Sequence, residues 1–293
     1  MSIKTISGLL RAHQWVKNLF LFIPLFFAGE FFNIELLERV GLGFISFSLA
    51  ASFVYILNDV RDIRHDRLHP EKKYRPIPSG KVSVPVAIIL GVVLLIVSLV
   101  LSWSLDHIFT YVLISYIVLN LGYSLGLKKI SILDLIIVST GFVLRVLAGG
   151  FIADVPVSKW LVIMIYLLAL FLVLAKRRDD IVEYQQSGLI LRKNILNYNL
   201  DFIHSVLTML SAVIIVSYVM YTISDDVADQ FDTEYLYLTS VFVIAGIMRY
   251  IQITMVENKS GSPTKILYAD RFIHITLLGW IVSFFLIIYA FKI

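Results

Sequence analysis

Long apolar runs alternate with short polar ones along the whole chain. Runs able to cross about 30 Å of hydrocarbon predict helical spans at roughly Lys17–Phe32, Val40–Leu57, Val84–Leu101, Ile108–Leu125, Leu133–Ile152, Trp160–Leu174, Phe202–Ile223, Tyr235–Met255 and Ile273–Phe291, nine in all. Pro24 interrupts the first and Gly29 follows it, a combination that works against one straight helix. Ser2 to Lys17 carries Arg11, His13, Trp15 and Lys17 among apolar residues, with no small-residue cleavage site. It reads as an interfacial helix leading into the first span, not as a removable signal peptide.

Composition agrees with this pattern: 59% of the 293 residues are hydrophobic, against about 45–50% in soluble domains. The chain reads as an all-α, polytopic membrane protein with a single transmembrane domain over residues 1–293, since no linker or low-complexity tract divides it. With no cysteine, disulfides and thiolate metal sites are excluded. The net charge of +4 lies in loops, where it reports topology before any affinity for nucleic acid. The second connection is strongly basic, the fourth holds Lys128 and Lys129, the sixth Lys176, Arg177, Arg178, Arg192 and Lys193, and the eighth Lys259 and Lys265. The seventh instead holds Asp225, Asp226, Asp229, Asp232 and Glu234. The positive-inside rule then puts the N-terminus and the even connections in the cytoplasm and the C-terminus outside.

The chemistry concentrates in Asn58 to Gly80, NDVRDIRHDRLHPEKKYRPIPSG. Asp59, Asp62 and Asp66 fall at i, i+3 and i+7, one face of a helix turning about 100° per residue, with Asn58 beside them. Carboxylates are hard oxygen donors, and Mg²⁺ commonly binds through one or two of them plus substrate phosphates. Arg61, Arg64, Arg67, Lys72, Lys73 and Arg75 stand ready for the remaining phosphate charge. Pro70, Pro76 and Pro78 end the helix and stiffen the loop. A solvated loop that merely sets topology and touches anionic lipid is the competing reading.

Asn58-Asp59-x-x-Asp62-x-x-x-Asp66 resembles the first aspartate-rich motif of the UbiA superfamily of intramembrane prenyltransferases. The longer string through His69-Pro70-x-Lys72-x-x-Arg75-Pro76-Ile77-x-Ser79-Gly80 is similar to its decaprenyl-phosphate phosphoribosyltransferase branch. Gln14-Trp15-x-Lys17-Asn18, Gly141-Phe142-Val143-Leu144-Arg145 with Gly149-Gly150, and Lys176-Arg177 point the same way. The resemblance implies nine helices around a central cavity and Mg²⁺ held by Asp59, Asp62 and Asp66. It further implies transfer of 5-phosphoribosyl from 5-phosphoribosyl 1-diphosphate (PRPP), taken from the cytoplasm, to a polyprenyl phosphate from the bilayer. Asp59, Asp62, Asp66, Lys72 and Arg75 would be catalytic; Lys17, Asn58, Arg61, Arg145, Lys176, Arg177, Asp179 and Asp180 would bind substrate.

One departure from the superfamily is informative. Where relatives using isoprenyl diphosphates carry a second Asp-x-x-x-Asp motif, this chain reads Ala175-Lys176-Arg177-Arg178-Asp179-Asp180-Ile181. Adjacent acids on a helix diverge by about 100° and cannot chelate as an i, i+4 pair does. Three preceding bases suit an additional phosphate better than a second metal.

Arg145, some 11 residues into its span, lies about 16 Å along the helix, a depth at which a charge is functional by default. Its alternative is a structural pair with an interior acid or backbone carbonyls. Arg249 divides between function and snorkelling to the interface. His69 reads as a helix-end residue bonded locally, and Asp134 as a cap after Ser131. Two other functions compete: prenyl transfer to a small acceptor on the same fold, and lipid or anion transport, which calls for paired broken helices in two halves. Oligomeric state is not written in the sequence, because lipid-facing and partner-facing apolar surfaces look alike.

Overall fold

A computed structural model describes residues 2–69, 71–188, 193–257, 266 and 269–290; the predicted roles of Pro70, Arg192, Lys259 and Lys265 lie outside these, as does the Lys193 side chain. The described residues are helical throughout, with no strand. Eight helical segments among them are long and apolar enough to cross a membrane, so the chain is an integral multi-pass membrane protein. The elements are α1 (Ile3–Leu10), a 3₁₀ segment (Ala12–Phe22), α2 (Ile23–Phe27), α3 (Ile34–Arg61), α4 (Ile63–Leu68), α5 (Val84–Leu105), α6 (His107–Leu125), α7 (Leu133–Ala153), α8 (Lys159–Ser187), α9 (Leu200–Thr222), α10 (Asp225–Phe231), α11 (Ser240–Met255) and α12 (Arg271–Phe285).

Two compact units divide the chain, one holding residues up to Leu127 together with Gly141–Val157, the other Lys128–Thr140 together with Ser158 onward. In the first, Leu21, Leu25, Phe47, Phe109, Leu113 and Ala148 are the buried centre. In the second, Leu135, Phe171, Leu174, Leu207, Tyr250 and Ile273 serve that purpose. Each fully buried apolar side chain of this size contributes about 1.5–3 kcal/mol relative to exposure to water, and in lipid the advantage lies in packing.

The structure corrects the expected first span. In place of one α-helix over Lys17–Phe32, a 3₁₀ segment is followed by the five-residue α2, with Pro24 inside the first turn of α2 where its missing N–H costs nothing. The 3₁₀ geometry has an identifiable cause. Trp15 Nε1 donates to Ser52 Oγ at 3.1 Å, and Asn18 Nδ2 to Ser48 Oγ at 2.9 Å. Three residues of 3₁₀ helix rise about 6 Å, and four residues of α-helix rise about 6 Å as well. Positions 15 and 18 therefore stay level with 52 and 48 as the two strands of chain run antiparallel. The three-residue period continues in burial: Asn18, Leu21 and Pro24 are buried while His13, Val16 and Leu19 are exposed. At Leu21 the backbone carbonyl lies so close to Gly149 that a Cβ there would collide with it; only glycine admits this approach.

Two spans are longer than their apolar runs. α3 begins at Ile34, capped by the Asn33 side chain, and carries on to Arg61. α8 runs 29 residues to Ser187, about 43 Å. Both exceed the hydrocarbon thickness and so carry polar residues, Asp59 and Lys176 to Asp180, at their ends.

Candidate active site

The acidic motif sits where α3 gives way to α4. The Asp62 N–H bonds to the Asn58 carbonyl and the Asp66 N–H to the Asp62 carbonyl, both at 2.9 Å, so helical hydrogen bonding carries through. Between them Asp62 leaves helical geometry at φ −89°, ψ 8°. Positions 59 and 66 differ by seven residues, or about −20° around a helix, and both side chains face inward, 3% and 5% exposed. Arg75 Nη1 donates to Asp59 Oδ1 at 3.1 Å and to Asp66 Oδ2 at 2.6 Å. Bound to one nitrogen, those oxygens are no more than 5.7 Å apart.

Arg11, read from the sequence only as a charge in the interfacial segment, completes the group. Its guanidinium forks onto Asp59, with Nε to Oδ2 at 3.3 Å and Nη2 to Oδ1, and it lies over the Tyr55 ring, 5.0 Å from the centroid. The residue ends α1 in the left-handed region at φ 50°. The only forewarning was an arginine among the apolar residues of an interfacial helix; its partner is 48 positions away.

The loop after α4 is pinned to hold Arg75 in place. His69 caps α4, and its Nδ1 accepts the N–H groups of Glu71 at 3.2 Å and Lys72 at 3.4 Å, the local bonding expected of it. A ring nitrogen that accepts is unprotonated. Burial first, then Lys72, holds the His69 pKa below its ordinary 6.5. Arg67 Nε donates to the Pro78 carbonyl at 3.2 Å, and the buried Ile77 packs with Leu9 and Ile56. Arg61, expected at substrate, instead donates to the Leu125 carbonyl at 2.8 Å, where it closes the end of α6. Lys72 is half-buried, and Lys17 is exposed next to the buried Asn18.

The buried donors and acceptors fit a divalent cation in part. Asp59 and Asp66 already converge on a cationic nitrogen, which stands in for a metal. Yet among the described residues no three His, Cys, Asp or Glu side chains gather closely enough to hold a metal ion alone. Asp59 and Asp66 converge as a pair, and Asp62 lies half-buried at the break between α3 and α4. A metal here needs further oxygens from a ligand or water, as Mg²⁺ commonly does.

Arg145 occupies the same unit and is enclosed. Its Nε donates to Asn18 Oδ1 at 2.8 Å, Nη1 to the Gly141 carbonyl at 2.7 Å and Nη2 to the Tyr116 hydroxyl at 3.0 Å. The rings of Phe47, Tyr116 and Phe142 surround it within 5.3 Å. Among the described residues its partners are an amide, a carbonyl, a hydroxyl and aromatic faces, with no acid. Through Asn18 it fixes the 3₁₀ segment on α3.

In the second unit the basic motif turns inward. Arg177 Nε and Nη2 donate to Asp134 Oδ2 at 3.0 and 2.7 Å, and Nη1 to Asp180 Oδ2 at 3.3 Å. The Asp134 and Arg177 side chains are 0% and 2% exposed. Asp134 is thus a buried counter-ion in the first turn of α7, where an acid also suits the helix dipole; the cap expected of it is not its role. The Tyr198 hydroxyl donates to Asp134 Oδ1 at 3.3 Å and accepts the Ile132 N–H at 2.6 Å. Burial raises the Tyr198 pKa above 10.0. Ile132 is held at φ 67°, an outlier for a β-branched residue. Arg178 Nε donates to His204 Nε2 at 3.1 Å and lies 4.0 Å from Asp179. Asp179 and Asp180 therefore engage different arginines, as adjacent acids on a helix must, while Lys176 is exposed. Arg249 is clamped by Asp270 and Glu257, each at 2.7 Å; Arg249 first of all holds Asp270 below the usual carboxylate pKa.

Comparison with known proteins agrees with this architecture. The chain is 34% identical over 289 residues to a decaprenyl-phosphate phosphoribosyltransferase of Mycolicibacterium smegmatis, covering 94% of this chain and 91% of the relative. It is 31% identical to the enzyme of that name from Mycobacterium tuberculosis H37Rv, with the same coverage. A solved UbiA homolog from Archaeoglobus fulgidus bound to GPP and Mg²⁺ superposes with a TM-score of 0.70 at 20% identity, over 97% of this chain and 99% of that one. The model of the UbiA prenyltransferase family matches residues 19–276, and by that match this chain belongs to the UbiA prenyltransferase family.

Proposed function

We propose that the protein is a polyprenyl-phosphate phosphoribosyltransferase that moves 5-phosphoribosyl from PRPP to a decaprenyl-like phosphate and releases diphosphate. Near end-to-end likeness to decaprenyl-phosphate phosphoribosyltransferases carries this reading. The altered second motif favours it over prenyl transfer: Asp179 and Asp180 engage separate arginines and do not form a chelating pair.

Asp59 and Asp66, with Asp62 directly or through water, would hold one Mg²⁺ together with the donor's diphosphate. The metal supplies Lewis-acid stabilisation of the departing diphosphate. Arg75 and Lys72 neutralise the negative charge that builds there, and Asn58 lies at the level of Asp59 to orient an oxygen. The anomeric carbon becomes oxocarbenium-like, and an oxygen of the lipid phosphate attacks it. That nucleophile is already anionic, so no side chain need act as general base. Lys17 is assigned to the acceptor phosphate, and Arg145 supports it by fixing Asn18 one residue along. In the second unit, Arg177 and Asp180 hold the local fold.

The same reading takes the whole chain as one catalytic domain in the plasma or inner membrane. The 3₁₀ segment and α2 together extend about 30 Å antiparallel to α3, enough for a ninth crossing. That count keeps the N-terminus and the Asn58–Gly80 loop cytoplasmic, where PRPP is met, and the C-terminus outside.

The test is purified protein in detergent with Mg²⁺, decaprenyl phosphate and ribose-labelled PRPP. Label should pass into the lipid phase and stay behind in Asp59→Asn. No transfer, in a preparation that consumes an isoprenyl diphosphate, would make the protein a prenyltransferase instead.

A further inference from the structure

We infer that Arg11 and Arg75 are exchangeable counter-ions that occupy the metal-binding carboxylates until a diphosphate arrives, so that metal and diphosphate bind synergistically. The inference deepens the function proposed above and rests on it.

The argument begins with charge. Asp59 and Asp66 are buried and no more than 5.7 Å apart, and two carboxylates so placed cannot both stay ionised without cations. Arg11 forks onto Asp59, and Arg75 bridges both acids. Two positive and two negative charges make the quartet neutral. A divalent ion entering alone would bring two positive charges against two guanidiniums already in contact with its ligands. A diphosphate changes the balance, because its oxygens match the guanidinium fork as well as a carboxylate does. Each arginine can pass from carboxylate to phosphate while the metal takes its place on the acids, with local neutrality kept throughout.

Geometry gives the arginines room for that exchange. Their side chains are 15% and 27% exposed, against 3% and 5% for the acids, so the cations lie on the accessible side of the pair. The backbone of Arg11 adds a separate observation. It sits at φ 50°, a backbone region that favours glycine. As the left-handed cap of α1, Arg11 turns the chain there, and its side chain is the fork on Asp59.

The test uses Mn²⁺ as the metal and radiolabelled inorganic pyrophosphate as the ligand, on full-length protein in detergent. Mn²⁺ binding without pyrophosphate is followed by the loss of the aqueous Mn²⁺ electron paramagnetic resonance signal. Arg11→Gln should bind Mn²⁺ at least tenfold more tightly than wild type, because a competitor has been removed. Equal or weaker binding by a variant that still melts like wild type would overturn the inference. Wild type alone gives a second arm should the variant not fold. The Mn²⁺ concentration that half-saturates pyrophosphate retention should lie at least tenfold below the dissociation constant for Mn²⁺ alone. Coincidence of the two values removes the exchange but leaves the metal–diphosphate site standing. Failure of wild type to retain pyrophosphate at any Mn²⁺ concentration removes both.

Discussion

The Arg177–Asp134 pair separates a structural arginine from a substrate-binding one, and a double-mutant cycle can measure which it is. Both side chains are essentially inaccessible, and two of the guanidinium nitrogens reach one carboxylate oxygen at 3.0 and 2.7 Å. Breaking a buried pair by removing one member costs about 3–5 kcal/mol, whereas replacing both by apolar residues of similar volume is close to neutral or stabilising. Asp134→Leu takes the two shorter contacts from a buried guanidinium and leaves it Asp180 at 3.3 Å. Arg177→Met strands a carboxylate that keeps the Tyr198 hydroxyl and the N-terminal dipole of α7, which together offset part of the loss. Each single variant should therefore cost about 3 kcal/mol, and the double variant should lie within about 1 of wild type. Unfolding in mixed dodecylmaltoside–SDS micelles, followed by tryptophan fluorescence, gives the three values. Single losses below about 0.5 kcal/mol, or a double variant that loses the sum of the two, would refute the buried pair. Turnover of the double variant then decides the role of Arg177. Retention of at least about a tenth of wild-type activity fits a residue that only holds the fold. A stable double variant with turnover down by about three orders of magnitude would mean that Arg177 reaches the substrate.

Three further outcomes follow from the first unit. Asp59→Asn should lower turnover by at least about a thousandfold with an unchanged melting profile, since the amide can still accept from Arg11; wild-type turnover would remove Asp59 from the metal site. Gly149→Ala places a methyl group on the Leu21 backbone carbonyl and should cost at least about 2 kcal/mol, as overpacking against unyielding backbone does; wild-type stability in the same micelles would mean the 3₁₀ segment stands farther off. His69 makes the loop pH-sensitive in a defined direction. Its folded pKa lies below 6.5, so its share of loop stability is present above pH 6.5 and is lost as pH falls through the lower, folded value. Protection of the Glu71 and Lys72 amides, as exchange relative to the intrinsic rate, should fall between pH 7 and 5, and pH-independent protection would show that Nδ1 does not accept from them.

What the sequence disclosed and what it hid have physical causes that differ from residue to residue. Most spans were legible because length against bilayer thickness is a one-dimensional property: Tyr235–Met255 falls at the residues predicted, and the helices from Val84 to Ala153 agree to within a few positions. The 3₁₀ segment was not legible. In water, a three-residue period of burial would write itself as a stripe of apolar side chains. In lipid the outward residues are apolar too, as Val16 and Leu19 are, so the period vanishes from the hydropathy. The faint trace is polar: Trp15 and Asn18, three apart, answer Ser52 and Ser48, four apart.

Ionic partners were hidden for another reason. Spacing reports which residues share a helix face: it set Asp59, Asp62 and Asp66 together and Asp179 apart from Asp180, and Asp59 and Asp66 do meet at Arg75 while Asp62 sits at the helix break. It says nothing of pairs joined across the fold, such as Arg11 with Asp59 at a separation of 48 residues or Arg177 with Asp134 at 43. The cost of an isolated charge nevertheless supplies a rule that sequence reading can apply: every charge inside or at the edge of the membrane needs a named partner before it is given to a substrate. Under that rule Asp134 is a counter-ion sought by some arginine, and Arg177 is spent on it. Arg145 satisfies the rule with an amide, a carbonyl and aromatic faces in place of an acid. Its charge then has no fixed opposite within the contacts described, whereas those of Asp59 and Asp66 are met by two arginines whose heads remain accessible. On the reading proposed above, the difference between cations committed to the fold and cations that can change partner is what would let the acidic motif take up a metal and a diphosphate together.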